Sequence, residues 1–170
     1  MRRNSPRWAG AFAAPALVFV ALGLVLAIHH APRVLAVGDP LPALQLTDLD
    51  GNTVALGSVA SRTAVYNVFT SWCPACNEEL PEMKHTAAVL SQRGVPVIGI
   101  DQGETAWEIE RFAASNGLHY QLLMDSRRIT TGRLGARIIP ETLVVRDGIV
   151  RRIIVGPATS AQILAAVGGG

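Results

Sequence analysis

At 170 residues, 49% of them hydrophobic but only 5% aromatic, the chain can build one aliphatic core and carry an extension besides. Its formal charge of +2 is unevenly spread: residues 1–36 hold four arginines and no acid, whereas residues 37–170 hold eleven basic and thirteen acidic side chains. The basicity belongs to the N-terminus, so the composition gives no footprint for nucleic acid, and two cysteines with four scattered histidines argue against zinc.

Arg2, Arg3 and Arg7 precede an uncharged run over 8–28, close to the roughly 20 residues a spanning helix needs. The pattern predicts a signal anchor with one transmembrane helix at about 8–28, its arginines cytoplasmic and the C-terminal domain across the membrane. The expected division is therefore anchor and linker over 1–36 and a globular domain over 37–170. A cleaved signal peptide is the alternative, with cuts after Ala27 or Ala36, but the apolar run is longer than such segments usually are.

Further along, Leu41 to Leu46 alternates in polarity, and Asp50-Gly51-Asn52 marks a turn before Thr53 to Leu56, which predicts a β-hairpin. Ala64 to Phe69 reads as a buried strand, followed by a helix running to about Arg93 and stopped by Gly94. Val95 to Ile100 is apolar throughout, as parallel strands are. Glu104 to Asn116 reads as a helix with an apolar stripe of Trp107, Ile109, Phe112 and Ala113. A strand over His119 to Met124 and a helix over Arg127 to Leu134 follow. Thr142 to Val145 and Ile149 to Val155 flank Asp147-Gly148 as a second hairpin, and Ser160 caps a last helix to Val167. Strand, helix, strand, helix, strand, hairpin and helix describe an α/β domain on a central mixed sheet.

The chemistry concentrates in Trp72-Cys73-Pro74-Ala75-Cys76, where the first buried strand gives way to a helix. Cys73 falls at the N-cap and Pro74 at the first helical position, where its missing N–H costs nothing. A thiolate there faces unpaired N–H groups and the positive end of the helix dipole, which lowers its pKa and makes it a nucleophile. Cys76, one turn on, is within reach of a mixed disulfide formed by Cys73. A purely structural disulfide is the plainer reading, but so small a ring adds little chain-entropy stabilisation. Asn77 rather than histidine follows Cys76, so this is no covalent haem site.

Trp72 to Cys76, followed by Glu79, Leu80, Pro81 and Met83, resembles the thioredoxin-like proteins, in particular the membrane-anchored TlpA, ResA and CcmG (DsbE) group. Gly38-Asp39-Pro40-Leu41-Pro42 upstream and Ile139-Pro140-Glu141-Thr142 downstream extend the likeness over about residues 37–167. The resemblance implies a thioredoxin-like fold with an N-terminal β-hairpin and a central insertion at about 101–125. It also implies a cis Ile139-Pro140 bond beside the cysteines, and a substrate-binding rim of Trp72, Pro74, Ala75, Ile139, Pro140 and Glu141. Asn67 stands where thioredoxin carries a buried aspartate, which leaves Glu79 as the candidate to accept the Cys76 proton, with Glu141 behind it.

The implied activity is thiol–disulfide exchange without a cofactor or metal, in a reducing sense. The implied clients are apocytochrome c or copper-centre assembly proteins, and the implied electron donor is a transmembrane protein of the DsbD or CcdA type. Two rivals differ in class. Thr70, three residues before Cys73, is shared with thiol peroxidases of the peroxiredoxin kind, though Tyr66 stands where those carry proline. A non-catalytic binding module would not need both cysteines.

Overall fold

The computed structural model describes residues 35–57 and 62–169; the expected anchor over 8–28 lies outside them. No helix among the described residues is long and apolar enough to cross a membrane. The domain runs β1 (Gln45–Asp48), β2 (Thr53–Ala55), β3 (Thr63–Phe69), α1 (Pro74–Ser91), β4 (Val97–Asp101), α2 (Ala106–Asn116), β5 (Gln121–Met124), α3 (Ile129–Arg133), β6 (Glu141–Arg146), β7 (Ile149–Val155) and α4 (Ser160–Gly168).

The strands form one mixed sheet in the order β2-β1-β5-β4-β3-β6-β7. β3, β4 and β5 are parallel neighbours, and every other pairing is antiparallel. β4 starts only after Pro96, which has no N–H to give to a ladder. At Asp147 and Gly148 both φ angles are positive, 51° and 74°, the conformation that lets a two-residue turn match the twist of a hairpin.

Alternation along the strands sends side chains to two cores. Val65 and Val144 join Met83, Leu90 and Ile163 beneath α1 and α4. Tyr66, Val68, Ile98, Leu123, Leu143 and Val145 form the opposite core with Leu134 and Ala136 of the β5–β6 connection. A third cluster gathers Phe69, Ile109, Leu122 and Met124 around both cysteines. Gly99 is the small residue this cluster requires. A Cβ there would lie 2.6 Å from Leu122, 3.1 Å from Phe69 and 3.2 Å from Tyr120.

Three expectations are corrected. Trp107 does not belong to the apolar stripe of α2: it is 63% exposed, with the Arg111 guanidinium 4.6 Å above its ring. Trp107 and Ile109 are two residues apart and so point to opposite sides of a helix, whereas Ile109, Phe112 and Ala113 share one. Ser160 is not the last helix's N-cap. That role falls to Thr159, which forms a reciprocal capping box with Gln162. The helix expected over 127–134 shrinks to α3, because Arg128 is left-handed at φ 52°.

Candidate active site

Cys73 caps α1 in an extended conformation, with Pro74 opening the helix. The Cys76 N–H donates to Cys73 Sγ at 3.2 Å, so the helix terminus supplies the donor that a thiolate at this position would use. The two cysteines are joined as a disulfide with Cα atoms 5.2 Å apart. The Asn77 amide ties the preceding loop to the first helical turn, donating to the carbonyls of Ser71 and Cys73.

The Ile139-Pro140 bond is cis, and the Ile139 carbonyl oxygen lies 3.9 Å from Cys73 Sγ. Trp72 is 62% exposed, and Ile138 is exposed as well, so both flank the disulfide as apolar surface. The ring of Trp72 stands out at the rim and does not fill the core.

Beneath the cysteines lies a buried polar chain. Glu79, one turn after Cys76 in α1, is only 2% exposed. Its carboxylate accepts from the Asn67 side-chain amide and from the Ala158 backbone N–H, each at 2.8 Å. Asn67 donates also to Thr142 Oγ1, its partner across the β3–β6 ladder. Burial pushes the Glu79 pKa up, and the two donors pull part of the way back. Asn67, in thioredoxin's aspartate position, thus cannot titrate but orients a residue that can. Glu141 is buried too, with Oε1 lacking a donor, and desolvation pushes it up to about 7.

A second carboxylate pair stands on the other side of the loop. Glu104 accepts from the Ser71 N–H at 2.6 Å and from the Ser71 hydroxyl. Asp101, fully buried, accepts from the Glu104 N–H at 2.9 Å. Burial and the neighbouring Glu104 push Asp101 up to about 8. The sequence gives no sign of this pair, because β4 and α2 bring it to Ser71 only on folding.

The Redoxin family pattern matches residues 36–167. The chain belongs to the redoxin family. It is 28% identical over 129 residues to the thiol-disulfide oxidoreductase ResA of Geobacillus thermodenitrificans, covering 75% of this chain and 74% of that one. Against ResA of Bacillus subtilis the identity is 22% over 150 residues, 86% and 84% of the two chains. Among solved structures, a thioredoxin-family thiol:disulfide interchange protein from Chlorobium tepidum superposes with a TM-score of 0.67 at 25% identity. That match covers 78% of this chain and 96% of the other. A secreted Mycobacterium tuberculosis disulfide oxidoreductase homologous to DsbE shares the fold at TM-score 0.66 and 23% identity, over 75% and 96%.

This redoxin is therefore a thiol–disulfide oxidoreductase with a thioredoxin-like fold, acting on disulfide-containing client proteins. The geometry runs against the peroxidase reading. Thr70 Oγ1 is buried without a hydrogen-bond partner, so it does not hold the Cys73 sulfur. Cys73 is paired with a second cysteine one turn away instead. A groove of about 620 Å³ opens between the far end of α1 and the start of β5, lined by Lys84, Ala88, Pro96, His119 and Tyr120, the last of which also packs against the cysteine cluster.

Proposed function

We propose that this redoxin is a membrane-tethered, periplasm-facing reductase of protein disulfides. Its clients would be apocytochrome c or metal-centre assembly proteins, and a transmembrane donor of the DsbD or CcdA type would re-reduce it. The observation that carries the chemistry is the helix-capping Cys73 with its donor from Cys76, set beside the Ile139 carbonyl.

The Cys73 thiolate attacks a client disulfide, forming a mixed disulfide and releasing one client thiolate. Cys76 then gives its proton to Glu79 and attacks Cys73 Sγ, expelling the second client thiolate. The client gains two electrons, and Cys73–Cys76 is left oxidised. Glu79 suits the acceptor's role by its i, i+3 spacing from Cys76 on the buried side of α1. Trp72, Pro74 and Ala75 with Ile139 and Pro140 form the rim where an extended client segment lies, and Glu141, expected in that rim, is buried behind it.

Two experiments test this reading. Cys76→Ala in native membranes should accumulate disulfide-linked adducts through Cys73, released by reductant and absent in the Cys73→Ala, Cys76→Ala double variant. No adduct above the double variant would defeat the reductase reading. The tether rests on the run over 8–28: a reporter active only outside the cytoplasm, fused after Gly170, should work and sediment with membranes. A soluble, shortened product would replace the anchor with a cleaved signal.

A further inference from the structure

The net negative charge of the domain conceals a cationic segment beside the disulfide. The connection from β5 to the cis-proline, residues 126–140, holds Arg127, Arg128, Arg133 and Arg137 and no acidic residue. All four arginines are exposed. The inner side of the same segment is pinned in place. The Gln102 side chain donates to Thr130 Oγ1, Thr131 Oγ1 and the Ala136 carbonyl. The Asp125 carboxylate accepts from the Ile129 and Thr130 N–H groups and from the Thr130 hydroxyl. With Leu134 and Ala136 buried in the core, the segment is a fixed platform whose charged side chains face outward.

The platform leads directly into the site. Arg137 lies two residues before Ile139, whose carbonyl is 3.9 Å from Cys73 Sγ, so its Cα is within about 7.6 Å of that residue's. At the other end, Arg128 lies across Gly103, the residue before the Glu104 that holds Ser71. The acids nearby face inward and not onto the platform: Asp101 and Asp125 are buried, and the Glu104 carboxylate is turned to Ser71.

Resting on the reductase reading above, we propose that Arg127, Arg128, Arg133 and Arg137 form a docking surface for acidic residues flanking the client's disulfide. Exposed cations beside a reactive centre raise the encounter rate of a complementary partner and lower that of a like-charged one, and salt screens both effects. Trp72 and Ile138 then supply apolar contact at the cysteine itself, while the arginines select what lies beside it.

The test uses the reduced full chain in nonionic detergent and two synthetic disulfide peptides, identical except for flanking glutamates in one and lysines in the other. The acidic peptide should be reduced about tenfold faster at low ionic strength, with the ratio collapsing as salt is added. Charge reversal at Arg127→Glu, Arg133→Glu and Arg137→Glu should invert the ratio. In parallel, a cysteine-free acidic peptide should quench Trp fluorescence of the oxidised chain, and the triple variant should lose this. If no peptide is reduced, the reductase reading fails, and the binding measurement alone decides the surface. Equal rates and equal binding for the two peptides overturn the proposal. Equal rates in detergent, with both reactions slowed only in phosphatidylglycerol nanodiscs and restored by the variant, also overturn it and assign the arginines to an anionic bilayer.

Discussion

Glu79→Gln is expected to slow resolution of the Cys73 mixed disulfide by roughly 100-fold, the usual weight of a positioned acid–base group, while leaving the first attack nearly unchanged. The substitution is a clean one at this position. Glu79 Oε1 takes the Ala158 N–H and Oε2 takes the Asn67 amide. The glutamine side chain of the variant can keep its oxygen on Ala158 and turn its NH2 toward Asn67. A flip of the Asn67 amide then offers Oδ1 to that NH2, and the Thr142 hydroxyl reverses to donate. The Ala158 bond and the near-identical shape are kept, so the fold should be preserved and the titration lost.

The sign of the pH dependence follows from burial, which raises Glu79 above its ordinary value. Below that raised pKa the carboxyl already holds a proton and cannot take one from Cys76. Wild-type resolution should therefore rise with pH through the Glu79 titration and level off. The variant should rise only as Cys76 ionises unaided, near the roughly 8.5 of an ordinary thiol. Single-turnover release of a thiol from the mixed disulfide, followed over about pH 5–9, reads this directly. A Glu79→Gln variant that resolves at the wild-type rate throughout would remove Glu79 from the mechanism and leave Glu141 to be tested next.

The legible parts of the molecule are those set by local chemistry. The change from a continuous apolar strand to a Pro-opened helix fixes Cys73 at the cap, and the Asp147-Gly148 pair fixes the last hairpin. Cap identity was legible in principle too. Thr159-x-x-Gln162 carries the capping-box spacing, and Ser160 lacks a Glu or Gln three residues on. The burial of Glu79 was not legible, because Glu78 and Glu82 make it look like one of a solvated acidic set. Its donors come from β3 and from a backbone N–H 79 positions away, and no residue type announces a backbone donor. Glu82 behaves alike, accepting the Ser160 N–H at 2.6 Å. Two glutamates one turn apart in α1 thus hold the entry to α4. Net charge misled in the same way, since thirteen acids spread over the domain hide four arginines gathered in one connection.

The domain's stability should fall as pH rises from about 5 to about 8, and Asp101→Asn should remove much of that fall. Asp101 is fully buried, and its Oδ1 has no donor. Ionisation would leave that oxygen as an unpaired buried anion, and burial with the adjacent Glu104 and Asp125 carboxylates pushes the pKa up to about 8. The unfolded chain releases the same proton near 3.8. Between these values the native state binds more protons than the unfolded state, so its stability decreases with pH and the loss is complete above about 8. Glu141, pushed up to about 7, and Glu79, also raised, act in the same direction. Asp48 and Glu108 are lowered by their hydrogen bonds. They act in the opposite direction, but only in the acid range below the window. Urea unfolding of the full chain in nonionic detergent should show a loss of roughly 2–4 kcal/mol across the window. An asparagine side chain matches the shape of the protonated acid, so the Asp101→Asn variant should equal wild type at the acid end and exceed it at the alkaline end. Parallel pH profiles for the two proteins would show that Asp101 is ionised in the native state. A buried, ionised Asp101 would then stand behind the Glu104 that holds Ser71.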